Sequence, residues 1–238
     1  MFTVLDCYHK SKVHVSSAYL NPTPFLMSAI EKFGSKNNDS SSQTDKENID
    51  GAAILLSASP KSHGFKQKEK EDAVNGSGRG WIPSAFLKLA EELHTKIAQN
   101  GGKILLYERD GFTFHAKGIW LTSGDSGFTF EHSPTNTSPH NCKIHAPESN
   151  LLATIFGSSN FGSRSEALDY ESNCIVVINP SSHGENATKA KNELAVDWNS
   201  MLDYSMELGS KKDLQSDQSK SISTFIRDVA LQVARKFF

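Results

Sequence analysis

Cysteine is scarce: Cys7, Cys142 and Cys174 are the only three in 238 residues. An odd, widely spaced set supports neither a disulfide framework nor a zinc ribbon, and it fits a reducing compartment. Long apolar runs are missing as well. No stretch approaches the ~20 residues needed to cross a bilayer, so any membrane contact is expected to be peripheral. Positive charge is not in excess either. With 25 Lys and Arg against 27 Asp and Glu the net charge is −2, and the pI is about 6.5. That balance disfavours a dedicated nucleic-acid binder. The opening Met1-Phe2-Thr3-Val4-Leu5-Asp6 holds an early acid and no arginine, unlike a mitochondrial presequence, so an import signal would be expected upstream.

What is present suits one α/β domain spanning 1–238, long enough to bury a full core. Three stretches have too little to bury: the Ser/Asn/Asp/Lys-rich 34–50, the charged then glycine-rich 66–80, and the Ser/Thr/Pro/Asn-rich 122–150. They read as flexible or disordered insertions. The last holds His132, His140, Cys142 and His145, a scattered set without a paired metal-binding motif, so no metal is assigned to it.

Between the insertions the pattern alternates. Apolar residues at Phe25, Leu26, Ala29, Ile30 and Phe33 predict a helix over 22–33, opened by a proline. The all-apolar run 52–57 suits a central strand covered on both faces. A second helix is predicted over 82–100, with Pro83 near its start and Gly101-Gly102 after its end. Strands follow at 103–107, 151–156 and 173–179. A helix over 187–204 carries Leu194, Trp198, Met201 and Leu202 on one side, and a last one carries Ile222, Phe225, Ile226, Val229, Ala230, Val233 and Phe237. Basic residues Arg227, Arg235 and Lys236 flank that stripe, which also suits a membrane surface.

The chemistry concentrates between Phe112 and Glu171. Thr113 to Leu121 reads as a strand, which would put His115 and Lys117 on one face about 7 Å apart. An imidazole titrating near ~6.5 can serve as nucleophile or proton carrier, and a neighbouring ammonium can hold phosphate oxygens. His94-Thr95-Lys96 repeats the tripeptide on a helix, where residues two apart diverge by ~200° and cannot share a phosphate. The strand at 151–156 ends in Gly157-Ser158-Ser159-Asn160, a close-approach glycine followed by short neutral donors. A helix over 161–168, containing Arg164, would turn free N–H groups toward the same anion. His63, near a strand end, is a further candidate contact, and Glu171 is a carboxylate within reach of the site.

His-x-Lys on one strand and Gly-Ser-x-Asn closing the next resemble a half-site of the phospholipase D superfamily. The residues Phe114 to Leu121, Gly157 to Ser165, Asp169-Tyr170-Glu171, Ala18-Tyr19-Leu20-Asn21, Ala58-Ser59-Pro60, His63-Gly64-Phe65 and Lys236-Phe237-Phe238 are more similar to one branch, the eukaryotic-type phosphatidylglycerophosphate synthases. The likeness runs along the whole chain but covers only the C-terminal half of a typical member. It implies a phospholipase D-like half with a mixed sheet flanked by helices. It also implies metal- and cofactor-free transfer of a phosphatidyl group from CDP-diacylglycerol to glycerol 3-phosphate through a phosphohistidine, on the matrix side of the mitochondrial inner membrane. His115, Lys117 and Asn160 would be catalytic, with Glu171 steadying an imidazole, and Ser158, Arg164 and His63 would bind substrate. Two departures stand out. The superfamily's acid five residues after the lysine falls at Thr122, a loss for which Glu171 is the substitute on offer. Only one half-site is present, so a missing N-terminal half, a second copy acting as a homodimeric phosphodiesterase, or a catalytically silent binding half remain open.

Overall fold

The computed structural model describes residues 11–34, 53–65, 81–123, 129–132, 142–145, 151–178, 184–209 and 232–233. The expected insertion 66–80, all but the first residue of 34–50 and much of 122–150 lie outside these residues. So does the expected last helix, apart from 232–233.

The apolar run after residue 51 becomes β2 (Ala53–Ala58), with every residue buried. Ala53 and Leu55 join one hydrophobic cluster, while Ile54, Leu56 and Ala58 join another. The strand is therefore covered on both faces, as an unbroken apolar strand requires. On either side lie β1 (Ser11–Ser17) and β3 (Lys103–Tyr107), both parallel to it. Antiparallel strands β4 (Lys117–Ser123), β7 (Leu151–Gly157) and β8 (Asn173–Val177) extend one side, and β9 (Ser205–Glu207) closes the other. The result is a mixed seven-stranded sheet in the order β8-β7-β4-β1-β2-β3-β9.

Helices α1 (Pro24–Gly34) and α2 (Ile82–Ile97) lie on one face, where Leu26, Ile30, Ala90, Leu93 and Ile97 meet Val13, Val15, Leu55 and Ile104. Thr23 caps α1 by accepting the Leu26 N–H at 3.2 Å, a role short hydroxyl side chains fill well. Phe25 leaves the expected apolar stripe and is 56% exposed. A 3-10 turn at Ala98–Asn100 prolongs α2, and left-handed Gly101 stops it. The short α3 (Ser163–Ala167) follows β7, and α4 (Glu185–Leu202) covers the opposite face of the sheet through Trp198 and Leu202.

Five elements differ from the sequence pattern. β1 is central and fully buried although Lys12, His14, Ser16 and Ser17 interrupt its valines. Within 122–150, β5 (Thr129–His132) and β6 (Cys142–His145) pair as a separate hairpin. The expected strand 113–121 begins only at Lys117, so His115 stands ahead of it in irregular chain. The expected helix 161–168 shrinks to the five residues of α3, because Phe161 takes a left-handed φ of 56° and breaks the helical path.

Candidate functional site

β1, β2 and β3 run parallel, β4 runs against β1, β7 against β4, and β8 against β7. The ends of β1, β2, β3 and β7 therefore share one rim of the sheet with the starts of β4 and β8. Ligands in α/β sheets favour such carboxyl-end rims. Nearly all the candidate residues fall there: Tyr19 after β1, His63 after β2, His115 before β4, Ser158 and Asn160 after β7, and Glu171 before β8.

At the middle of the rim, the Lys117 Nζ lies 3.0 Å from the His115 Nε2 and 3.3 Å from the His115 carbonyl. His115 is exposed and Lys117 half-buried. Burial, and secondly the Lys117 charge, hold the His115 pKa below its ordinary 6.5. Burial also lowers the Lys117 pKa, and the Glu171 carboxylate works against that shift. The imidazole is thus mostly neutral at pH 7, with an ammonium beside it.

Asn160 is tied to the same rim through Ser17, the residue paired to Lys117. In the sheet β4 lies between β7 and β1, with Ser17 paired to Lys117 and Phe156 to Gly118. Neighbouring strands are about 4.8 Å apart, so β1 and β7 are separated by about twice that. Even so, the Ser17 hydroxyl donates to the Asn160 carbonyl at 2.8 Å. The segment after β7 must therefore arch across the start of β4, above Lys117. The Asn160 N–H is held by Ser165 Oγ at 3.1 Å, while its Oδ1 is buried with no hydrogen-bond partner among the described residues. Such an orphaned polar atom at a rim suits a ligand donor.

The Glu171 carboxylate accepts a short hydrogen bond from the Ser158 hydroxyl, whose oxygen in turn accepts the Ser172 N–H at 2.9 Å. Among the described residues its influence falls on Ser158 and Lys117 rather than on an imidazole. Thr122 sits five residues along β4 from Lys117, about 16 Å away. Its hydroxyl meets the fully buried His14 Nε2 at 3.2 Å, and burial together with Lys12 lowers the pKa of that imidazole to about 3. Glu171 and Thr122 therefore lie at opposite ends of the strand and do different work.

Three other expectations land differently. Gly157 makes room not for a ligand but for β8, since a Cβ there would run into the Ser172 carbonyl and Asn173. Arg164 is drawn to Asp169, its Nε bonding both carboxylate oxygens at 3.0 and 3.1 Å. His63 is only 1% exposed, its Nδ1 accepts the Phe65 N–H at 3.2 Å, and burial lowers its pKa to about 4. Tyr19 lies between it and His115, with ring centroids 5.3 Å from His63 and 6.1 Å from His115. The sequence pattern gave no signal for Ser17, and it marked Tyr19 only through the resemblance. The cysteine and histidines of 122–150 have no described side chains. Among the described residues no group of metal-ligating side chains gathers.

No family model matches the chain. Curated proteins do. The CDP-diacylglycerol–glycerol-3-phosphate 3-phosphatidyltransferase of Saccharomyces pastorianus is 24% identical over 194 residues, which is 77% of this chain and 31% of that enzyme. The mitochondrial enzyme of the same name from Gallus gallus is 28% identical over 128 residues, 52% of this chain and 18% of its own length. The chain is a homologue of these phosphatidyltransferases. It spans 18–31% of the length of the phosphatidyltransferases it matches. Among solved structures, phosphatidylserine synthase of Haemophilus influenzae superposes with a TM-score of 0.57 over 97% of this chain and 41% of its own, at 13% identity. That likeness establishes a shared fold.

Proposed function

We propose that the chain is one catalytic half of a phosphatidyltransferase, which makes phosphatidylglycerophosphate from CDP-diacylglycerol and glycerol 3-phosphate. The observation that carries this is the approach of the Lys117 Nζ to 3.0 Å from the His115 Nε2 on an exposed rim, in a chain homologous to enzymes bearing that name.

His115 attacks the phosphorus of the phosphatidyl group. The phosphorus–oxygen bond to the nucleotide breaks, and CMP leaves with the electron pair. Lys117 and Asn160 hold the non-bridging oxygens, with Ser158 as a supporting donor. Glu171 keeps Lys117 charged, and Arg164, next in line on α3, serves the substrate only by giving up Asp169. The acceptor hydroxyl then attacks the phosphohistidine, its proton passing to a base, and His115 is released. Splitting one displacement into two lowers each barrier. Attack and departure lie on opposite sides of phosphorus, so a second imidazole must face His115. His63, buried behind Tyr19, is a poor choice for it. The second half-site is therefore assigned to a partner, an N-terminal half of the same enzyme. No cofactor or metal enters the scheme. Two of its relatives are named mitochondrial, which supports assigning the chain to mitochondria. Its peripheral place on the matrix side of the inner membrane is part of the proposal and rests on the family resemblance. No helix among the described residues is long and apolar enough to cross a membrane.

The single half-site also supports a second reading, in which two copies pair as a phospholipase D-type phosphodiesterase. One assay separates the two: CMP release from CDP-diacylglycerol with and without glycerol 3-phosphate, in wild type and His115→Ala. Acceptor-dependent release lost in His115→Ala, with acid-labile phosphate on His115, is the expected result. Release with water alone favours the phosphodiesterase. Nucleotide binding that survives His115→Ala, with no turnover whatever partner half is supplied, sinks both.

A further inference from the structure

The rotamer of a histidine leaves its ring plane loosely defined, because the last torsion is broad. His115 is especially free. It precedes β4 in irregular chain and is exposed. Its described side-chain neighbours are Lys117, whose Nζ meets Nε2, and the ring of Tyr19. The two imidazole-bearing turns are fastened together behind it. The Ser62 carbonyl accepts the Phe114 N–H at 2.8 Å, and Ser62 Oγ accepts the Arg109 N–H at 3.0 Å. His63 and His115 each follow one residue of that latch, and Tyr19 is wedged between their rings. It meets His115 edge to face at 74° and His63 at 71°, and Phe65 and Phe86 lie against it at 5.8 and 5.3 Å. These separations fall in the favourable range for aromatic pairs.

We propose that Tyr19 is the positioning residue that sets the plane of the His115 imidazole, with buried His63 pinning Tyr19 from behind. The Nδ1 of His63 accepts the Phe65 N–H, so its hydrogen sits on Nε2, which is buried without a hydrogen-bond partner. The His63 ring itself packs among Tyr19, Phe65 and Phe86, with centroids 5.3, 5.8 and 5.3 Å away, so its described contacts are those of a wall behind Tyr19. Lys117 on one side and Tyr19 on the other then direct the Nε2 lone pair, and a substrate oxygen that draws off the Lys117 ammonium exposes it already aimed. The titratable groups that face His115 are Lys117 and the Tyr19 phenol, with Glu171 acting only through Lys117.

The catalytic consequence rests on the transferase reading, but the placement does not, so the test has two arms. In the full 238-residue chain, histidine-labelled NMR spectra are expected to contain a Tyr19–His115 ring NOE. Tyr19→Leu should move the His115 Hε1 resonance and raise its titration midpoint toward the ordinary value, because solvent replaces the ring. Tyr19→Phe should change neither. In the acceptor-dependent assay Tyr19→Leu should lose about tenfold or more in kcat with KM within about twofold, while Tyr19→Phe stays near wild type. A missing NOE, a folded Tyr19→Leu with an unmoved His115, or a Tyr19→Phe as damaged as Tyr19→Leu each overturns the proposal. Should Tyr19→Leu fail to fold, the NOE in wild type and in Tyr19→Phe decides. No turnover in any variant even with a partner half supplied, with the NOE intact, counts against the transferase and not against Tyr19.

Discussion

Glu171 and Lys117 illustrate how one charge at the rim governs another. Replacing Glu171 by Gln keeps an acceptor for the Ser158 hydroxyl but removes the charge that supports the ammonium. The Lys117 pKa should fall further, and the alkaline limb of the activity profile should move to lower pH. A titration of the Lys117 side-chain resonance checks the first and initial rates across pH the second; an unmoved lysine would remove Glu171 from the site. His115 and Lys117 were legible as a pair because their spacing brings side chains together. Their setting was not, because His115 lies outside the strand that Thr113 and Phe114 suggest by composition.

Glycines at the element scale separate two kinds of crowding. A Cβ at Gly118 would come within 2.5 Å of the Trp120 ring, which is buried against Trp198 and whose Nε1 donates to the Leu194 carbonyl. Gly118→Ala should therefore cost about 1–3 kcal/mol, the usual range for overpacking a core. At Gly157 the obstacle is the backbone of β8 itself. Gly157→Ala should cost more and should also displace Ser158, since no side chain can turn aside. Urea midpoints of the two variants test the order, and a reversed order would contradict the β7–β8 register. Of these elements, β2 and α2 could be read from apolar periodicity alone. β1 could not, because Lys12, His14, Ser16 and Ser17 are buried polar residues. His14 meets Thr122 on β4, Ser16 donates to the Met201 sulfur on α4 and Ser17 donates to the Asn160 carbonyl beyond β7. Local pattern carries no trace of these distant partners.

For the whole molecule, acid is the revealing variable. His14 and His63 titrate near about 3 and about 4 in the fold, against 6.5 unperturbed, chiefly through burial. Below pH 6.5 the unfolded chain takes up protons that the native one refuses, so stability should fall as pH drops from 6.5 through 4 toward 3. Thermal melts between pH 7.5 and 4 measure this, and replacing His63 by Leu should flatten the upper part of the decline. A Tm independent of pH in that window would mean that neither ring is held neutral by burial. Leu55→Ala, at a residue with no exposed surface, should cost about 2–5 kcal/mol at any of these pH values. The α/β class was legible in the alternation of apolar runs, while the mixed sheet flanked by helices was expected only from the family resemblance. The strand order was not, since nothing local tells β4 to insert beside β1 rather than beside β3.

β8 ends the sheet, and along it Ile175 and Val177 are about half exposed, with Phe156 beside them on β7 and Tyr170 fully exposed just upstream. Among the described residues this margin carries no further strand, and an edge strand with apolar side chains is a template for misassembly. Preparations of the lone chain are therefore expected to scatter light increasingly with concentration, and a lysine at position 177 should keep them clear while leaving the rim chemistry alone.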